Sequence, residues 1–557
     1  MIFNFILLSI IFLSIIGWGS IYKIIFYKEE KFYNRDFFYG IFFISTILLL
    51  LNFFIPLKYA FFPLNLIGIL FSLKLFYKKN CTLNLPVLGI IALFFCFISA
   101  HNPIQIDANL YHMQTLKWIS DYKISFGLVN LEERLGVNSL WHVFVSLFNI
   151  SSNIQLIYII NIIPLTILFN EVSHNLIKRN FNLPSLFLYF SFSFILSFSF
   201  IHPFNNGQIL NHLGTPENDV AAMVAMLFSI YLFLLNLQKF DRKLFHLTNI
   251  VVALSILFKL SHIYLALLVI INFYTFRKKI KILNKINYLV IFLGFLWLLR
   301  NFILSACIIY PFSKSCFFNL SWSLPKNDLI AFEIVTKAFN RDTPLRNKWF
   351  DLDYTINSFD WFLPWFKTYF LQTSFFYFVF ATLIFSIALY IFNKLVLIFK
   401  FKNIKELTIV YSLLTFIFPV IWLQSPELRY AYGGFIAIAC LPLAINFNFK
   451  YYYKLINLSK YVFILLPILL IYKNVENLKL YDKKLNRVFT YNNIKFYKKI
   501  DGYDVYSSVL CKNINEICVT FSNREYKIKK KYGYFFLKDI NLILKIKYDL
   551  KCNYTLS

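Results

Sequence analysis

The stretch His101 to Asn138 reads HNPIQIDANLYHMQTLKWISDYKISFGLVNLEERLGVN and sets Asp107 about one helical turn ahead of Tyr111 and His112. A carboxylate so placed can take a proton from a hydroxyl, or it can only cap the helix that follows, and capping does not exclude catalysis. Pro103 keeps the entry extended, and Leu110, Met113, Leu116 and Ile119 form an apolar stripe at helical spacing, which predicts an interfacial helix lying on a membrane. A second group is GTPENDVAAMVAMLF, where Glu217 and Asp219 head a helix built on Ala221, Ala222 and Ala225. Two carboxylates above a closely packed helix can bind a divalent cation (Mg or Mn), orient a sugar hydroxyl, or cap the helix. Third come Lys259, with His262 beside it, Arg300 in WLLRN and Arg429 in PELRY. Each cation can snorkel to headgroups, or together they can cradle a phosphate.

No Gly-rich phosphate loop, zinc-type His and Cys spacing or G-x-S-x-G elbow occurs in the chain, so soluble nucleotide chemistry has no support.

The elements that must carry these residues are membrane spans. Of 557 residues, 59% are apolar, and they fall in runs long enough to cross a hydrocarbon core about 30 Å thick. Mean hydropathy is +0.62. The formal charge of +29 would point to nucleic acid in a soluble protein. Here Lys and Arg between spans explain it by holding loops in the cytoplasm, so no nucleic-acid partner is expected. Apolar runs lie near 2–26, 37–55, 62–77, 86–100, 153–173, 184–202, 219–237, 247–259, 262–275, 286–304, 367–393, 406–424, 430–447 and 460–474, and predict about fourteen transmembrane helices. The first lacks a basic leader and a small-residue cleavage pattern and is read as a retained span. Basic loops starting near Lys28, Lys74, Lys178, Lys239, Arg277, Lys394 and Lys450 are assigned to the cytoplasm. Loops 101–137, 203–218 and 305–366 then lie outside. Basic turns at Lys243 and Arg277 flank residues 247–275, so the chain must enter and return there, as two half-spans meeting at Lys259, Ser261 and His262.

Residues 476–557 alternate Tyr, Phe, Val and Ile with Lys and Asn, and predict a small α/β or β-rich soluble appendage on the exterior side. The domain plan is therefore 1–89 for the first helices, 90–475 for the module holding the polar loops, and 476–557 for the tail. Cys307 with Cys316, and Cys511 with Cys518, are spaced to close small disulfide rings on the side expected to be oxidising.

At these motifs the chain resembles bacterial GT-C membrane glycosyltransferases. It is similar to a group marked here by Asp107, Tyr111-His112, Trp118, Gly127-Leu128, Asn130-Leu131, Arg134-Leu135-Gly136 and Asn138-Ser139, continuing through Glu217 to Val220, Lys259 to Ser261, Arg300-Asn301, Trp322-Ser323 and Pro426 to Arg429. The likeness covers about residues 90–440. It implies a GT-C-like fold in a bacterial cytoplasmic membrane. The implied reaction moves a sugar, with inversion, from a polyprenyl-phosphate donor to a glycan, lipid or protein acceptor on the exterior (periplasmic) face, in assembly of surface polysaccharide or glycolipid. It carries the base over to Asp107; substrate or donor binding is then expected of Tyr111, His112, Arg134, Glu217, Asp219, Lys259, His262, Arg300 and Arg429, with the donor phosphate near Lys259, Arg300 or Arg429, and with Glu217 and Asp219 holding a divalent ion or orienting the sugar. Two features differ: the polar loop follows the fourth span rather than the first, and Ala108 stands where a second acid often flanks the base.

A lipid-linked glycan flippase or transporter is the competing reading, and a polysaccharide polymerase or ligase shares the donor chemistry. A transporter should hold its polar groups near mid-bilayer on broken helices in matched halves. This sequence gathers them in exterior loops instead, which favours the enzyme.

Overall fold

A computed structural model describes residues 2–447, apart from 102–106, 108–110, 149–156, 158, 202–208, 281–283, 343–346, 349–350 and 397–403, together with five strands between 495 and 539. The body is helical. Its helices are α1 (Ile2–Tyr27), α2 (Phe37–Asn52), α3 (Phe61–Tyr77), α4 (Leu85–His101), α5 (Met113–Asp121), α6 (Leu140–Ser146), α7 (Ile162–Ile177), α8 (Leu183–Ile201), α9 (Asp219–Gln238), α10 (Arg242–Phe258), α11 (Ala266–Phe276), α12 (Lys285–Ser305), α13 (Lys326–Arg341), α14 (Ser374–Val396), α15 (Ile404–Ser412) and α16 (Tyr432–Phe447), with short 3-10 and π turns between them.

Among the described residues, seven helices are long and apolar enough to cross a membrane, the first spanning Phe5–Tyr27 and the last Lys405–Trp422. The chain is an all-α membrane protein in this region. Fourteen full crossings are not reached among the described residues, in which five more of the expected runs supply apolar helices of 10–17 described residues. The runs 367–393 and 406–424 are among the seven long helices although each carries a π turn, Phe366–Phe370 shortly before Ser374 and Leu413–Ile417 just before Pro419. The run 460–474 lies outside the described residues.

Burial sorts the helices into a centre and a periphery. In α9, Val220 to Leu234 are buried all round, as expected of a helix enclosed by others. By contrast α12 and α14 turn Ile291, Phe295, Ile384 and Phe385 outward, each more than half exposed, which suits an apolar solvent and not water. The small residues predicted to bring α9 close to a neighbour do so: Ser255 Oγ on α10 donates to the Ala222 carbonyl at 3.2 Å. Helices α1 and α3 approach still more closely, since a Cβ on Gly17 would fall 1.7 Å from the Gly68 carbonyl oxygen.

The return at Lys259 is present. Helix α10 stops at Phe258, Lys259 is extended (φ −149°, ψ 114°), a 3-10 turn covers Leu260–Leu265, and α11 runs back. Asn272 Nδ2 donates to the Asn249 side chain at 2.8 Å and to the Phe245 carbonyl at 3.3 Å, pairing the two arms as a hairpin. The helix after Asp107 differs from expectation. It begins at Met113, and besides its apolar stripe it buries Gln114, Thr115 and Ser120, so it is enclosed by protein and not laid on a surface. Asn52 Nδ2 reaches back to the Ile119 and Tyr122 carbonyls and ties its end to α2.

Beyond α16 the described residues are strands: β1 (Lys495–Ile500) pairs antiparallel with β2 (Tyr503–Ser507), β2 pairs parallel with β3 (Ile517–Val519), and β4 (Tyr526–Lys531) pairs antiparallel with β5 (Tyr534–Asp539). Cys307 and Cys316 are joined by a disulfide with S–S 2.01 Å. Cys518 stands in β3 and Cys511 lies outside the described residues.

Candidate functional site

Four chain segments far apart in sequence meet at one end of the helix bundle. The loop before α5 brings Asp107, Tyr111 and His112; the turn before α9 brings His212, Glu217 and Asp219; the α10–α11 hairpin tip brings Lys259; and the turn before α16 brings Arg429 and Tyr430. The local reasons are simple. Asn161, at the head of α7, donates from one amide to the carbonyls of His212, Thr215 and Glu217 at 2.7 to 3.2 Å, which folds the turn before α9 into a tight cup. Asn218 and Ser139 both donate to the Phe258 carbonyl, at 2.5 and 2.7 Å, which fixes the end of α10 and therefore Lys259.

Three contacts between acidic and basic groups define the geometry. Arg429 Nη1 donates to Asp107 Oδ2 at 2.5 Å. Lys259 forms an ion pair with Asp219. His212 Nδ1 lies 2.7 Å from Glu217 Oε2. Tyr430 links two of them, its ring lying 4.1 Å from Lys259 Nζ and 5.5 Å from the Arg429 guanidinium carbon. On the other flank Arg134 lies 5.3 Å over the Tyr111 ring and binds Glu132 at 2.6 Å. His112 Nδ1 meets His142 Nε2 at 3.0 Å.

Exposure divides the roles. The Asp107 and Arg429 side chains keep 26% and 25% of their surface open, whereas Glu217 is fully covered and Asp219 keeps 3%. A ligand can therefore reach the first pair directly. Arg429 Nε and Glu217 Oε1 are buried and have no hydrogen-bond partner among the described residues, so each retains capacity for a bound group.

The charge states follow from the neighbours. Burial pushes the Asp107 carboxyl up, but the Arg429 guanidinium and then His112 outweigh it and hold it below the usual carboxylate value. Burial likewise opposes ionisation of Glu217, yet its bond to His212 prevails and brings it down to about 2. For His112 burial wins, and its ring is pushed down to about 4. At neutral pH Asp107 and Glu217 are therefore ionised, Arg429 is a cation and His112 is neutral.

His212, Glu217 and Asp219 also place one nitrogen and two carboxylate oxygens within 4.8 Å of one another. That donor set fits a divalent ion that accepts imidazole, Mn more naturally than Mg.

Of the residues singled out in the sequence, Asp107, Tyr111, His112, Glu217, Asp219, Lys259 and Arg429 are gathered here, with Arg134 at the edge. Two are elsewhere. Arg300 is buried a layer behind, where its Nη1 donates to Asn138 Oδ1 at 2.5 Å. His262 points into the hairpin, 2.8 Å from Ser255 Oγ. Their spacing along the chain matched that of the other cations, but each sits on a helical turn that faces a neighbour. The sequence reading missed His212, His142 and Tyr430. His212, five residues before Glu217, had a visible signal; the other two owe their place to packing.

The chain belongs to the family described as Domain of unknown function (DUF8201), which it matches over residues 1–436. No curated protein and no solved structure matches it.

Proposed function

We propose that this DUF8201 protein is a membrane glycosyltransferase that uses a polyprenyl-phosphate sugar on the exterior face of a bacterial cytoplasmic membrane, and that Asp107 is its base. The observation that carries the reading is the Asp107–Arg429 pair, part-exposed and backed by Lys259, Glu217 and Asp219. A general base needs a partner that keeps it ionised, and a phosphate leaving group needs fixed cations nearby. Both needs are met by one cluster.

In this reading Asp107 takes the proton of the acceptor hydroxyl as its oxygen bonds to the anomeric carbon. The bond from that carbon to the donor phosphate breaks, and polyprenyl phosphate departs with the electron pair. Arg429 gives one nitrogen to Asp107 and keeps Nε for the phosphate, while Lys259 adds a second charge. Tyr111 and Tyr430 supply aromatic faces on which a sugar ring can lie, and Arg134 orders Tyr111. A divalent cation belongs on His212, Glu217 and Asp219, where it would neutralise phosphate charge. The Cys307–Cys316 bridge supports an oxidising, exterior location for that loop.

The test is transfer of labelled sugar from a panel of polyprenyl-phosphate donors to membrane extracts by the purified protein in nanodiscs. Donor-dependent label transfer by the wild type, absent in Asp107→Asn, is the expected result. Transport of intact lipid-linked glycan across a vesicle membrane without any transfer would replace the enzyme by a flippase.

A further inference from the structure

The same helices that carry the Asp107 site build a second polar cavity at their other ends. Helix α9 starts at Asp219 and reaches Tyr231 twelve residues later, about 18 Å along its axis. Helix α7 starts beside Asn161 and reaches His174 and Asn175 about 20 Å away. There a cavity of about 790 Å³ opens between the α1–α2 loop, the α3–α4 loop and the ends of α7 and α9. Between the two sites α9 presents Val224 to Phe228, all buried and apolar.

The floor of the cavity is polar and closed. Glu171 is its carboxylate, and both oxygens are used: Tyr231 donates to Oε1 at 2.6 Å and Asn34 Nδ2 to Oε2 at 2.8 Å. Asn170 Nδ2 donates in turn to Asn34 Oδ1 at 2.5 Å. The nearby Asp36 is taken up by Lys23 at 2.6 Å and by the Tyr33 amide at 2.8 Å. The cations at the wall keep their hydrogen-bond donors. Arg35 lies over the Tyr33 ring at 5.5 Å, with the Glu171 and Asp36 carboxylates near enough to favour its charge, and among the described residues neither it nor Lys178 makes a side-chain hydrogen bond or ion pair. His174 lines the same wall. Guanidinium and ammonium donors beside a closed, hydrogen-bonded floor can hold an anion that also offers hydroxyls or further oxygens.

We propose that this cavity binds a phosphate-bearing ligand at the membrane face opposite Asp107. Exposed Leu85 and Ile177 at its rim set the cations beside apolar surface. The phosphate is therefore that of a lipid headgroup at the interface or of a water-soluble ester. The inference does not depend on the glycosyltransferase reading.

The test uses the full-length protein in nanodiscs. In phosphatidylcholine discs, inorganic phosphate is titrated against thermal unfolding; in parallel, native mass spectrometry follows retention of phosphatidylglycerol from mixed discs. Stabilisation by phosphate in neutral lipid assigns a soluble ester, and retained phosphatidylglycerol without a phosphate response assigns a headgroup. Either response should weaken at least about tenfold in Arg35→Gln, as expected for loss of a charged hydrogen bond, and less in Lys178→Gln. Lys178 is exposed, so K178Q tests the site even where R35Q folds poorly. Dependence on Arg35 and Lys178 separates this site from the other, whose cations are Lys259 and Arg429. Absence of both responses in the wild type, or wild-type binding by R35Q and K178Q together, would overturn the proposal.

Discussion

Asp107 and Arg429 stand 322 residues apart in the chain and 2.5 Å apart in space, each with about a quarter of its side chain exposed. Everything else in the candidate site is arranged around that pair: Tyr430 joins it to Lys259, and Lys259 joins it to Asp219.

Replacing Asp107 by Asn removes the proton acceptor and keeps the shape. Transfer should fall by roughly 10² to 10⁴, the usual contribution of a positioned base. Expression should persist, and the unfolding temperature should fall only modestly, because the ion pair lost with Arg429 is part-exposed. Single-turnover sugar transfer beside a thermal melt checks both; undiminished transfer would remove Asp107 from the mechanism.

The second prediction concerns pH. The folded Asp107 carboxyl is held below its usual value, so the ionised form and the stabilisation from its ion pair are present through neutral pH. Both are lost only as pH falls through that lowered value. The acid limb of the activity profile should accordingly lie below the ordinary carboxylate range. In Arg429→Gln the guanidinium is gone and burial dominates, so the limb should move to higher pH. Profiles of the two proteins that overlay would refute the coupling.

Lys259 and Asp219 form a buried pair, 11% and 3% exposed. Lys259→Gln should destabilise the protein by about 3 kcal/mol, because it strands the Asp219 charge. The double variant with Asp219→Asn should recover much of that loss. Denaturant unfolding of the three variants gives the coupling, and strictly additive effects would contradict it.

Peptide mapping of the unreduced protein isolated from its membrane should recover Cys307 linked to Cys316, with Cys96 and Cys440, both buried, as free thiols. Recovery of Cys307 and Cys316 as free thiols after rapid alkylation would place their loop on the reducing side and with it reverse the proposed orientation.

At α1 and α3 the backbones nearly touch, with Gly17 facing Gly68. Gly17→Leu should separate the helices and lower the unfolding temperature sharply, whereas Gly294→Ala, where a Cβ meets nothing within 4 Å, should be neutral or slightly stabilising. Equal melting temperatures for the two would mean that α1 and α3 do not pack in this way.

The sequence alone determined that the chain lives in a membrane, because the cost of burying backbone in hydrocarbon forces long apolar runs into helices, and such runs are visible residue by residue. It also determined the return at Lys259, since basic turns on both flanks permit no other path, and the close approach of α9, since Ala221, Ala222 and Ala225 leave room for a neighbour. Tertiary structure decided what composition cannot carry. Whether a helix lies on a surface or inside the bundle depends on its neighbours: α5 carries the expected apolar stripe but also buries Gln114, Thr115 and Ser120. Which cations join the carboxylates depends on the rotational setting of each helix: Lys259 and Arg429 turn toward them, while Arg300 turns to Asn138 and His262 to Ser255. Spacing along the chain fixes a residue's height in the bundle; only packing against neighbouring helices fixes the direction in which it points.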